Sequence, residues 1–146
     1  PNSMIFGSWP TREVREEFLV AIEQEVPDFH KMRKEIWSNF DLTYWEMKED
    51  ISFEVDKSKY NVVTALWQKE EAAFGSHKKE WLKKSNKSGA KVLLELEGGT
   101  SPFGYEYNPD FVVITSWDSK EEYDSFMSKM DKVDKEGLKL VQEFTF

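Results

Sequence analysis

The residues best suited to chemistry are few. Only two histidines occur, His30 and His77. His77 stands three residues after Phe74 and four before Trp81, so helical spacing gathers the three on one face and turns the imidazole inward. A histidine there could act as general acid or base, since it titrates near neutrality. The competing reading is an imidazole tied to a backbone carbonyl. His30 lies among Lys31 and Arg33 and reads as solvated. The stretch Glu97 to Asp110, EGGTSPFGYEYNPD, adds Phe103, Tyr105 and Tyr107 to a loop that glycine and proline mark as turn-forming. Two phenols over a cavity mouth could hold a carbonyl or phenolate. Trp67 and Trp117 close two strand-like segments, where indoles would wall a pocket or fill a core. The candidate site is therefore His77 as the catalytic acid or base, Tyr105 and Tyr107 as polar anchors, and Phe103, Trp67 and Trp117 as walls. The loop would form a flap hinged at Gly98, Gly99 and Gly104, with packing on a second subunit as the alternative.

The composition removes several classes. The chain has 146 residues, enough for one ordinary domain with a core. Eleven Phe, six Trp and five Tyr supply large buried areas, so a 39% apolar content is less lean than it looks. With 28 acidic and 20 basic residues the net charge is -8, which argues against a sequence-independent grip on nucleic acid and against anionic membrane. There is no Cys, hence no disulfide, thiolate nucleophile or zinc–thiolate site. That absence fits a reducing, cytoplasmic setting. No apolar run reaches the ~18 residues of a membrane span. Pro1-Asn2-Ser3 before Met4 reads as the remnant of a cleaved tag. No HExxH, P-loop, GxGxxG or GxSxG motif occurs, and Asp131, Asp134 and Glu136 lack the periodicity of a calcium loop. No metal and no cofactor is expected.

Two parts must position these residues. Residues 4–56 read as two helices, capped by Thr11 and Asp28 and separated by Pro27, and then two β-prone runs, Leu42–Met47 and Ile51–Val55, that suggest a hairpin. Residues 58–146 read as a strand over 60–67, a helix over 69–84, strands over 91–97 and 111–117, a helix begun by the capping box Ser119–Glu122, and a strand over 140–146. The order βαββαβ predicts an α+β, ferredoxin-like fold: an antiparallel four-stranded sheet with both helices on one face. The other face, apolar and uncovered, needs a partner, either the N-terminal segment, a second subunit or both, and a homodimer is expected.

The run Val112 to Met130, VVITSWDSKEEYDSFMSKM, resembles the strand-to-helix step of the dimeric α+β barrel superfamily, which includes the antibiotic-biosynthesis-monooxygenase-like proteins. The resemblance covers residues 58–146, and residues 4–56 exceed the usual single module. It implies two sheets paired into a barrel and a small molecule held between sheet and helices. It also implies chemistry without metal, as in cofactor-free monooxygenases and polyketide cyclases or isomerases; other members have no known activity. Haem-degrading members pair a helix His with an Asn and a Trp. Trp117 occupies the Trp-like place, but no His follows in the next helix, so haem degradation is not implied.

The leading expectation is thus a protein that binds a small apolar or aromatic molecule between sheet and helices, whether or not it also transforms it without metal. The alternatives are a non-catalytic interaction module with an aromatic surface and an acidic inhibitor of a nucleic-acid enzyme.

Overall fold

The structure, a computed structural model, describes residues 3–102 and 105–146. Two compact units divide the chain, Pro1–Phe40 and Asp41–Phe146. Residues 41–56, grouped in the sequence reading with the N-terminal segment, cluster with the second unit.

The first unit is a helix pair, α1 (Arg12–Glu25) and α2 (Phe29–Ile36). Thr11 caps α1 as its sequence position requires, its hydroxyl accepting from the Val14 amide at 3.3 Å. Asp28 does not cap α2. Its backbone is left-handed (φ 72°), not the extended conformation of a side-chain cap, and its side chain makes no cap hydrogen bond. His30 Nε2 donates to the Leu19 carbonyl at 3.0 Å, tying α2 back onto α1. The Arg33 guanidinium lies 4.8 Å from the Phe40 ring centroid and 5.4 Å from that of Trp37. Neither helix buries a residue.

In the second unit the order is β1 (Tyr60–Gln68), α3 (Glu71–Lys87), β2 (Lys91–Glu97), β3 (Phe111–Trp117), α4 (Lys120–Met130) and β4 (Leu138–Thr145). The strands form one antiparallel sheet in the order β2-β3-β1-β4. Helix α3 starts on an unforeseen cap: the Glu70 carboxylate accepts from the Ala72 and Ala73 amides at 2.9 and 2.7 Å, and these bonds hold its pKa below the usual carboxylate range. The capping box of α4 is half made. Ser119 Oγ accepts from the Glu122 amide at 3.2 Å, but Glu122 Oε2 is buried without a partner instead of reaching back.

Each face of the sheet has its own core. Alternation along β1 sends Val62 and Leu66 to the helices, where Phe74, Trp81, Phe111, Val113, Trp117, Tyr123, Phe126 and Met130 pack with them. Trp81 meets Phe126 edge-on at 5.2 Å, and Trp117 lies 5.0 Å from the same ring. The opposite face carries Val63, Ala65, Trp67, Leu93, Leu94, Leu96, Val112 and Ile114, all buried. Trp45, Tyr107 and Phe144 pack against that layer.

Three expectations are corrected here. The sheet is open, with β2 and β4 as its two edges, and is not closed into a barrel. The second apolar face is covered within the chain by Trp45, Tyr107 and Phe144, so the fold does not supply the bare surface from which the homodimer was inferred. The hairpin of residues 42–55 does not form either. Tyr44 instead makes an isolated antiparallel bridge to Thr100, with amide–carbonyl distances of 2.8 and 2.9 Å, and Ile51, Phe53 and Val55 stay exposed outside any strand.

Candidate functional site

Between the helices and the β1–β4 side of the sheet lies a cleft of about 280 Å³. Leu66 and Val141, paired across β1 and β4, line its sheet side, while Trp81, Met127 and Met130 line its helix side. Leu138 closes one end, and Asp131, Lys135 and Glu143 bring charge to the lining. Asp131 and Lys135, four residues apart, pair with each other at 3.5 Å.

His77 lines this cleft and is only 4% exposed. Its Nδ1 lies 2.9 Å from the backbone carbonyl of Asp134. A carbonyl can only accept, so Nδ1 carries a proton and donates it, which leaves Nε2 as the ring nitrogen not engaged by this bond. The helical spacing that turned His77 inward is observed, since Phe74 and Trp81 are buried beside it. The backbone tie, the other reading of this residue, is observed as well.

The remaining candidates do not converge on His77. Trp117 is 1% exposed and belongs to the helix-side core; its indole Nε1 donates to Thr115 Oγ1 at 2.9 Å, inside the protein. Trp67 and Tyr107 come together, ring centroids 5.1 Å apart and edge-on, but on the face of the sheet opposite the helices. Tyr105 is half-buried in the same loop, its amide bonded to the Pro102 carbonyl at 3.1 Å. Phe103, and with it Gly104, lies outside the described residues.

The aromatic loop is thereby explained in part. Tyr107 is a lid on the second core, and the loop is tied down around it. The Tyr107 carbonyl accepts from Ser101 Oγ at 2.7 Å and from Thr43 Oγ1. Asp110 Oδ2 accepts from the Gln68 amide at 2.7 Å, and the Asp110 carbonyl accepts from the Gly98 amide. Gly98 has φ 66°, which favours glycine; a β-carbon on Gly99 would fall 2.7–2.8 Å from Pro109, Thr43 and Trp45. These bonds and contacts fix the base of the loop. The Tyr107 hydroxyl is buried without a partner, and its pKa is pushed up to about 12 by that burial and by the nearby Asp41 carboxylate.

Two groups escaped the sequence reading. Tyr123, on α4, is 5% exposed; burial, then hydrogen bonding to the Glu143 carboxylate, raise its pKa well above the usual tyrosine range. Glu143, on the edge strand, faces Thr64 across the β1–β4 ladder, and the Thr64 hydroxyl is buried and unpartnered. The alternation of β4 could have placed Glu143 on the helix side, had the strand's pairing been known.

Among the described residues no group of three or more His, Asp and Glu side chains is arranged to hold a metal ion, and no helix is long and apolar enough to cross a membrane. No protein-family model matches the chain, and no curated protein matches it.

Proposed function

We propose that the chain binds a small, largely apolar molecule in the cleft between α3, α4 and the β1–β4 side of the sheet. The observation that carries this reading is the cleft's lining: apolar side chains from two helices and two strands, with one buried imidazole among them. Pockets for small molecules typically combine such walls with a few placed polar groups. The ring's protonated Nδ1 is committed to Asp134, so Nε2 is its free acceptor. The ligand therefore presents a hydroxyl or amine hydrogen to His77, and the same nitrogen is the group best placed to take up a proton from it. The element order supports reading the sheet unit as a ferredoxin-like βαββαβ module, with residues 1–40 as a separate helical unit.

Calorimetric titration with 2-phenylethanol tests the reading. Val141 is exposed on an edge strand, so Val141→Trp should leave the circular dichroism spectrum intact while obstructing the cleft. Binding to the wild type and at least about ten-fold weaker binding to the variant, a difference of about 1.4 kcal/mol, is the expected result. Equal affinity would place the ligand elsewhere, and no binding to either protein would remove the reading.

A second reading, a surface for protein association, is favoured by the edge strand itself. β4 leaves Leu140 and Val141 more than 40% exposed beside an unpaired row of backbone groups. A second copy of the chain pairing antiparallel along β4 would make a homodimer. Sedimentation at micromolar concentration checks it; a strict monomer excludes it.

A further inference from the structure

Glu143 is the one carboxylate lining the cleft whose charge has no ion-pair partner among the described residues, since Asp131 is matched by Lys135. It stands directly across the ladder from Thr64, and the Tyr123 phenol adjoins it. Both hydroxyls are more than nine-tenths buried; the phenol lies against the Glu143 carboxylate, and the Thr64 hydroxyl has no hydrogen-bond partner. Native proteins seldom leave a buried hydroxyl unpartnered, so Thr64 beside a carboxylate without an ion pair marks a place where a further polar group belongs. Apart from His77 and the mutually paired Asp131 and Lys135, the remainder of the lining, from Leu66 and Trp81 to Met127 and Met130, offers only apolar surface.

We propose that the cleft selects molecules with an apolar body and a single protonated amine, the ammonium lying against Glu143. An ammonium has three donors and no acceptor. It therefore suits a carboxylate backed by hydroxyl oxygens, and it suits His77 Nε2 no worse than an alcohol does. A carboxylate ligand would meet Glu143 with like charge, and the net charge of -8 disfavours it at longer range as well. This inference rests on the small-molecule reading of the cleft and adds to it the charge of the ligand.

The experiment is a titration of the full chain with three probes of similar shape: 2-phenylethylamine, 2-phenylethanol and 3-phenylpropanoate. Glu143 is exposed, so the amine should bind about five-fold tighter than the alcohol, the scale of a solvent-accessible ion pair. The carboxylate should bind most weakly. Glu143→Gln should bring the amine to the alcohol's affinity, and raising the salt should narrow the wild-type preference. Equal affinities for all three probes, unaltered by the substitution, would overturn the inference while leaving the cleft as a binding site. Failure of every probe to bind would overturn both.

Discussion

His77 Nδ1 and the Asp134 carbonyl oxygen are 2.9 Å apart, and this bond ties the middle of α3 to the segment between α4 and β4. One imidazole thus has a structural side and a chemical side, and substitution should separate them. His77→Ala should cost about 0.5–1.5 kcal/mol by removing this part-buried hydrogen bond. Asparagine can place its amide N–H near the position of Nδ1, so His77→Asn should recover most of that loss in denaturant unfolding. It should still bind 2-phenylethanol poorly, because no group replaces Nε2. Full binding by the Asn variant would show that Nε2 does not face the ligand.

Gly137 and Gly75 should respond in opposite directions to the same change. A β-carbon on Gly137 would lie 2.3 Å from the Phe74 amide nitrogen and 2.4 Å from the Ala73 carbonyl carbon, both backbone atoms. Gly137→Ala should therefore destabilise by about 1–3 kcal/mol or more, as overpacking does. Gly75 lies within α3 with open space where its β-carbon would be. Gly75→Ala should stabilise by roughly 0.5–1 kcal/mol through helix propensity. Thermal melts of the two variants check both signs.

Phe126 is fully buried between Trp81 and Trp117. Phe126→Ala should cost about 3–5 kcal/mol. Ser119→Ala, which removes one part-buried cap bond, should cost only about 1 kcal/mol. The reverse order in urea would contradict the assigned packing of α4.

Tyr107 buries a hydroxyl with no partner. Tyr107→Phe should keep the edge-on contact with Trp67 and stabilise by about 1 kcal/mol by removing the unpaired group. The same residue has a pH signature. Its folded pKa of about 12 exceeds the ordinary 10.0, so between those values the unfolded chain releases a proton that the folded chain retains. Stability attributable to Tyr107 is complete below pH 10 and falls as pH rises toward 12. The Phe variant should lose less stability than the wild type across that window, and parallel losses would contradict the burial.

Much of the sheet unit was legible. β2 and β3 coincide with the runs Lys91–Glu97 and Phe111–Trp117 because apolar, β-prone residues there are bounded by glycine and proline punctuation. The inward turn of His77 followed from Phe74 and Trp81 on one helical face. What failed depended on pairing distant in sequence. Residues 42–55 carry the alternation of a hairpin, but the partner of Tyr44 is Thr100, after β2, and no local pattern announces it. His77 and Tyr107 looked like parts of one site because a loop has no period-two alternation to assign its rings to a face; the structure puts them on opposite sides of the sheet. Glu70 was overlooked as a cap because its side chain is longer than those of the usual capping residues. Glu143 was overlooked because only its register with Thr64 brings it beside buried hydroxyls.

The central claim, a ligand site on the helix side of the sheet, is met most directly by methyl NMR. With methionine methyls carbon-13 labelled, 2-phenylethylamine should shift Met127 and Met130 and give intermolecular nuclear Overhauser contacts from its ring to both, while Met32 and Met47 stay unmoved. Shifts confined to Met32 or Met47, or saturable binding that leaves Met127 and Met130 untouched, would contradict it.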